Sequence, residues 1–437
     1  MKHKFRIIIG LLLLAIPLSM TAQVKPVKPQ KSQTEINEKE KAEAIRIEKE
    51  KTEKESQIKT QSATPQVKPT ENPQPIEKPD KPEKDKPKLS DYIKLSGFAQ
   101  AMYQANLSNE GELIDNNFSL RRVRLSVEGT LFQGLTYKIQ GDFTRKPMLV
   151  DAYLKYKVCD EFAIQIGQFK TPFSIESPIN PVNLEIFDYG EAIQGLVGYN
   201  DVCGVGSLGR DLGIMASGSL FSVKGKEGNK YHVVDYAIGV FNGNGANEKD
   251  NNNRKDIVGR LDIHPGLKAL TLSGSYYYGK YLLDSINNGS RNRWSAGIQY
   301  NDGNLMIRAE YLDGHTGYQV AAFNDTLPVL DDLGNQVYNE NLTNSKGYYA
   351  VVGYNFKLGK NKSQQLMPVF RYEHFTKDVS LTKSGTTYYT AGLSYWPIKY
   401  VNLKLNYQLI QTHNLIADDT YEKAFKNRVV ASVNFKF

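Results

Sequence analysis

Cysteine is nearly absent from this chain of 437 residues, with Cys159 and Cys203 its only thiols. Two are too few for a disulfide framework or a zinc site. Cys159 falls in a tight turn and Cys203 in a long loop after the next strand, so they are expected toward opposite ends of the domain and unpaired. Long hydrophobic runs are missing too. Beyond residue 22 nothing approaches the roughly 18 to 20 apolar residues of a membrane helix, and mean hydropathy is −0.47. A helical membrane protein is excluded. A membrane barrel is not, because its strands hide their apolar residues in alternation. Catalytic signals are lacking as well. There is no G-x-S-x-G, and His232, His264, His315, His374 and His413 are scattered over turns, loops and strands. A hydrolase needs a nucleophile within reach of a base, so no catalytic residue, metal or cofactor is indicated.

Positive charge is scarcer than the formal +8 suggests. Residues 1–22 account for three of the eight charges. Residues 23–90, with 16 basic and 13 acidic side chains, account for three more and leave +2 for the rest. A nucleic-acid partner is not indicated by so small an excess.

The chain begins with Lys2, Lys4 and Arg6 before an uncharged run from Ile7 to Leu18. This is the pattern of a secretory signal, expected to span 1–22 with cleavage after Ala22. Over 34–61 the sequence is mostly Glu, Lys and Ala. Its isoleucines, Ile36, Ile45, Ile47 and Ile58, make no heptad seam, so a solvated, partly helical segment is expected. Recurrent prolines over 64–88 favour an extended polyproline spacer. Residues 23–90 are therefore read as a periplasmic tail, with the cell wall as a candidate contact.

From residue 91 to 437 the pattern changes to period two. In SLRRVRLSVEGTLF, Val123, Leu125, Val127 and Leu131 alternate with Arg122, Arg124, Ser126, Glu128 and Thr130. After Gln133-Gly134, Leu135, Tyr137, Ile139 and Phe143 share one face, and Thr136, Lys138, Gln140 and Asp142 share the other. This hairpin alone does not say which face meets water. About sixteen such segments follow one another to the end, each near the nine to eleven residues that cross a bilayer at a tilt. Their connections sort by length. Tight ones, as at Cys159-Asp160 and Asn301-Asp302-Gly303, alternate with long ones at 170–210, 242–255, 280–292, 314–346, 376–387 and 412–427. Short turns on one side and long loops on the other are the plan of a transmembrane antiparallel β-barrel of the outer membrane, and a soluble sandwich has no reason to adopt it. Many of the 27 tyrosines fall at strand ends, as aromatic girdles require. The last segment ends on Val429, Ala431, Val433, Phe435 and Phe437, and resembles the terminal signal used in outer-membrane barrel assembly. Apolar faces then point to lipid, and polar faces line a lumen.

RRVRLSVEGTLFQGLTYKIQGDF, DAYLKY, IGQFKTPFSIE, GRDLGI and GVFNGNG, in that order, resemble the phosphate- and polyphosphate-selective porin family. The resemblance implies a homotrimer of sixteen-strand channels in outer-membrane lipid, carrying small polar or anionic solutes past a ladder of basic side chains. Arg121 and Arg122 match the family's paired arginines. By parity Arg122 and Arg124 face inward, with Lys138, Lys155, Lys157, Arg260, Arg308 and Arg371, whereas Arg121 is expected on the lipid face near the rim. The loop from Lys170 to Arg210 is expected to fold into the channel. It holds Glu176, Glu185, Asp188, Glu191 and Asp201 and no basic residue between its ends. Its carboxylates are expected to face Arg122, Arg124 and Lys138 across water, giving a general or weakly selective porin. A structural barrel that tethers the envelope through the tail is the alternative.

Overall fold

Alternation from Lys94 onward builds a single closed sheet. The computed structural model describes residues 92–437, apart from 109, 207, 225–229, 267–268, 283–287, 322, 325–326, 329–337, 360, 382 and 418–419. The expected signal and tail, residues 1–90, lie outside the described residues. The strands are β1 (Lys94–Leu107), β2 (Leu113–Phe132), β3 (Leu135–Asp142), β4 (Leu149–Cys159), β5 (Phe162–Lys170), β6 (Arg210–Lys224), β7 (Lys230–Phe241) and β8 (Asp256–Ile263). They continue as β9 (Leu270–Tyr278), β10 (Asn288–Asn301), β11 (Leu305–Ala321), β12 (Tyr338–Tyr354), β13 (Gln364–Thr376), β14 (Gly385–Ile398), β15 (Val401–Ala417) and β16 (Thr420–Lys436). Short segments Lys280–Leu282 and Phe356–Leu358 prolong β9 and β12, so the sheet has sixteen crossings. Every neighbour is antiparallel, and β16 closes on β1 from Phe98↔Lys436 to Leu107↔Asn427.

Which face meets water is settled by burial. Leu125, Ile139, Leu154, Ile166, Ile298, Leu405 and Phe435 stand exposed on the outside, while Gln100, Arg122, Ser126, Gln140, Arg308 and Asn406 are buried inside. This inverts the pattern of a soluble protein and fits lipid outside with a polar lumen. At the seam, Gly97 and Phe437 exchange backbone hydrogen bonds of 3.1 and 3.0 Å. A Cβ on Gly97 would come within 2.7 Å of the Phe437 ring, so only glycine leaves room there.

The turns on one side are tight, as at 133–134, 160–161 and 399–400, and the other side carries longer excursions such as 143–148, 171–209 and 242–255. Two expected loops are largely strand. Over 314–346 and 412–427 the ladder continues through pairs such as Tyr318↔Asn341 and His413↔Lys423. Strands that project beyond the lipid no longer need an apolar face, so alternation fades while backbone pairing persists. Cys159 ends β4 and is exposed. Cys203 lies in the 171–209 loop, where Arg293 Nη2 donates to its Sγ at 3.2 Å, and no disulfide joins the two.

One irregularity matters for the lumen. Gln100 pairs with Arg122 but Ala101 pairs with Leu120, which leaves Arg121 as the extra residue of a β-bulge. A one-residue insertion reverses the facing of everything beyond it. Phe118 and Leu120 consequently face outward, and Asn117 and Ser119 inward.

Candidate functional site

The 171–209 loop fills part of the lumen, and its composition explains why. Phe173, Leu184, Ile186, Tyr189, Ala192, Ile193, Leu196 and Val197 form one apolar cluster with inward wall residues Phe241, Val258, Leu312, Tyr349 and Val369. Within the loop, Pro181–Asn183 makes a 3-10 turn capped by the Asn180 side chain, and Glu191–Val197 makes a short helix, α1, ended by Gly198 at φ 101°. The loop has acids and no bases; the wall opposite it has arginines.

Each contact can be named. Glu176 is fully buried and bridges two wall strands, at 3.1 Å from Arg308 Nη2 on β11 and 2.7 Å from Arg371 Nη1 on β13. Burial pushes its carboxyl up, but Arg371 and Arg308 outweigh that and hold it below the ordinary value. Glu185 accepts from the same Arg308 at 2.7 Å. Arg371 also meets Glu373 at 3.2 Å. Glu310 instead takes Ser174 Oγ, the Ile175 N–H and Tyr349 OH, so it anchors the loop and does not pair with Arg308. Asp201 holds Arg291 and Arg293 of β10 at 2.7 and 2.6 Å. Lys404 of β15 donates to the Leu184 and Ile186 carbonyls, and Gln100 of β1 to that of Phe187. Glu191 begins α1, and burial with Glu373 nearby raises its carboxyl.

The bulge then corrects the parity reading of Arg121. Both arginines reach Asp188, Arg121 Nη2 at 2.6 Å and Arg122 Nη2 at 2.7 Å. Burial raises the Asp188 carboxyl, yet Arg122 and Arg121 hold it at about 2. The expected arrangement of loop acids facing Arg122, Arg124 and Lys138 across water is replaced by direct pairs, most of them with the far wall.

The loop thus seats mainly against β8 to β15 and β1 to β2, touches Phe241 of β7 and Lys170 of β5, and leaves cavities along the β3 to β6 side of the lumen. Above the loop a cavity of about 460 Å³ is lined by Arg121, Arg122, Arg145, Asp188, Tyr189 and Tyr199, among others. Below it lies one of about 420 Å³ with Arg124, Lys138, Lys170, Arg210 and Arg260. Arg260 is shared with a third, about 380 Å³, which also carries Lys155 and Lys157 near the tight turns. Around the narrowing stand six cations, Arg121, Arg122, Arg124, Arg145, Lys170 and Arg210, against Asp142, Asp151 and Asp188. Arg124 pairs with Asp142 at 2.9 Å, Arg210 with Asp151 at 2.7 Å, and Arg145 reaches Asp142 only at 3.8 Å. Burial, then Arg122 and Arg121, lower the Arg145 guanidinium to about 10, as a cation among cations should behave.

The model of the phosphate-selective porin O and P family matches residues 93–437. The chain belongs to that family. This porin shares its fold with the anion-selective porin from Comamonas acidovorans, at 12% identity and a TM-score of 0.53 over 79% of this chain and 99% of that one. Outer-membrane expressed OmpT of Vibrio cholerae, at 10% identity, and Salmonella typhi OmpF in complex with daunomycin, at 12%, each reach 0.50 over 79% of this chain and 97% of theirs. No curated protein matches the sequence. The porin is an outer-membrane β-barrel channel, with its exposed apolar belt against lipid.

Among residues that sequence reasoning passed over, Arg291, Arg293 and Lys404 hold the porin's loop, and Arg145 and Arg210 stand at its narrowing. Arg291 and Arg293 share parity with buried Ser295, and Lys404 with Asn402 and Asn406, so the signal for these three was the polar face itself. His264 meets Asp235 at 3.0 Å and Thr271 at 3.2 Å near the tight turns, a pairing that strand parity does not reveal.

Proposed function

We propose that this porin carries small polar solutes by passive diffusion and prefers anions, which pass along the basic side of the lumen through Arg122, Arg124, Lys138, Lys155 and Arg260. The observation that carries the proposal is where the loop's acids go. Glu176, Glu185 and Asp201 pair directly with guanidinium groups of the far wall, which leaves Asp188, on Arg121 and Arg122, and Glu191 as the loop acids nearest the cations of the open side. The weak selectivity expected from an acidic loop therefore gives way to an anion path. Low-dielectric walls bearing one sign of charge concentrate the opposite ion. The family's phosphate selectivity points the same way, and its homotrimeric assembly is part of the proposal.

Zero-current potentials across a KCl gradient in planar bilayers test it, followed by the same measurement with phosphate as the anion. A chloride-preferring potential is expected. A potential of the opposite sign refutes the anion path, and an absence of conductance favours the tethering barrel.

A further inference from the structure

The cavity above the loop is built for more than a bare oxyanion. Its volume of about 460 Å³ falls within the ~300–1,000 Å³ of small-molecule sites. Charge sits on one side only. Arg121 and Arg122 come from β2 and Arg145 from the 143–148 connection, while Asp188 supplies the single carboxylate among the lining residues. Three guanidinium groups against one carboxylate leave a site that is short of negative charge. Arg122 is already oriented by Gln100 Oε1 at 2.9 Å. Its Nε is buried and makes no hydrogen bond.

The remaining lining is neutral and rich in donors and acceptors. Gln104, Asn117 and Ser119 come from β1 and β2, and Gln194 and Asn200 from the loop. The last two are coupled, since Asn200 donates to Gln194 Oε1 at 3.0 Å and Gln194 donates to the Tyr189 carbonyl at 2.8 Å. Tyr189 and Tyr199 pack ring to ring at 4.7 Å beside them. A dense oxyanion such as inorganic phosphate is satisfied by converging cations and hydrogen-bond donors alone. Amides and hydroxyls set apart from the cations, with aromatic rings among them, suit the hydroxyls and C–H faces of a saccharide.

We propose that this cavity is a binding site for a monosaccharide-sized organic anion, a sugar bearing one phosphate or carboxylate, with the acid on Arg121 and Arg145 and the ring against Gln194, Asn200 and Tyr199. The inference rests on the anion path above and names the class of solute it admits. The bulge at Arg121 is what creates the site. It turns two successive arginines onto Asp188 and swings Asn117 and Ser119 into the lumen behind them.

The test is current blockage of the full-length porin in planar bilayers in KCl, with glucose 6-phosphate, inorganic phosphate and glucose added in turn. Glucose 6-phosphate is expected to interrupt the current at a concentration about tenfold lower than inorganic phosphate, and glucose is expected to leave it unchanged. Arg145→Gln should raise the glucose 6-phosphate concentration required about tenfold. Gln194→Ala combined with Asn200→Ala should weaken block by glucose 6-phosphate and leave block by inorganic phosphate alone. Open-channel conductance shows that each variant is folded. Equal block by inorganic phosphate and glucose 6-phosphate, or block unchanged in both variants, overturns the inference. Cation preference in KCl refutes the underlying anion path, whereas anion preference without sugar-phosphate block refutes this site alone.

Discussion

Glu176 Oε2 lies 2.7 Å from Arg371 Nη1, and the two residues are 195 positions apart in the chain. Neither is exposed to more than a trace of solvent. The loop is therefore fastened to the wall by a desolvated ion pair, and removing Glu176 leaves Arg371 to Glu373 and Arg308 to Glu185.

Glu176→Gln is expected to destabilise the folded barrel by less than the ~3–5 kcal/mol of a fully stranded buried charge, because Glu373 and Glu185 still partner the two arginines. The temperature at which the heat-modifiable band converts on gels should fall. Adding Arg371→Met should not restore stability, because buried Glu373 then loses its arginine. An unaltered conversion temperature for Glu176→Gln would mean that the pair contributes nothing to seating the loop.

Asp188→Asn should release Arg121 and Arg122 and move the zero-current potential further toward anions. The shift should shrink in concentrated KCl, where screening shortens the reach of charge. The pH dependence has a definite sign. The Asp188 carboxyl is held at about 2 by Arg122 and Arg121, below its ordinary value of 3.8. A depressed carboxyl contributes stability that is fully present above the unfolded value and is lost as pH falls through the folded one. Wild type and Asp188→Asn should therefore differ at pH 5 and converge as pH approaches 2. A difference that persists undiminished at pH 2 rules out Asp188 as the titrating group.

Deleting 176–199 removes the shelf that narrows the lumen, and single-channel conductance should rise. The Glu185→Gln, Asp188→Gln, Glu191→Gln triple variant should move the potential toward anions while changing conductance less. If the deletion conducts like the parent, solute flow is limited elsewhere.

Removing Phe437 deletes both backbone bonds to Gly97 at the seam. The amount of heat-modifiable barrel in outer membranes should drop. Undiminished levels would argue that closure does not depend on the last residue.

The wall of this protein was legible because lipid on one side and water on the other impose a period of two. Arg122, Arg124, Lys138, Lys155, Arg260, Arg308 and Arg371 were placed by parity, and all seven face inward. Arg121 was misplaced because parity assumes an unbroken ladder, and one extra residue in β2 leaves no mark in composition. The loop was legible as a long acidic insertion stiffened by Pro172, Pro178 and Pro181. Its partners were not. Nothing local tells Glu176 to prefer Arg308 and Arg371 over Arg122 and Arg124, since that choice is made by how the barrel curves, a property of the closed sheet. The projecting strands over 314–346 and 412–427 were missed for a related reason. Once clear of lipid, a strand keeps its hydrogen bonds but loses the hydrophobic rhythm by which strands are recognised.

Lys404 grips carbonyls that precede it by 220 and 218 residues, and Gln100 grips one 87 residues ahead. The narrowing therefore draws on β1 and β15, strands far apart in the chain that closure sets on either side of β16. Closure of β16 on β1 is what brings the two to one side of the lumen. The grip of the wall on this part of the loop is consequently complete only in the closed barrel. A seam that parted between β16 and β1 would also pull Gln100 and Lys404 away from each other, so closure of the wall and narrowing of the lumen fail together.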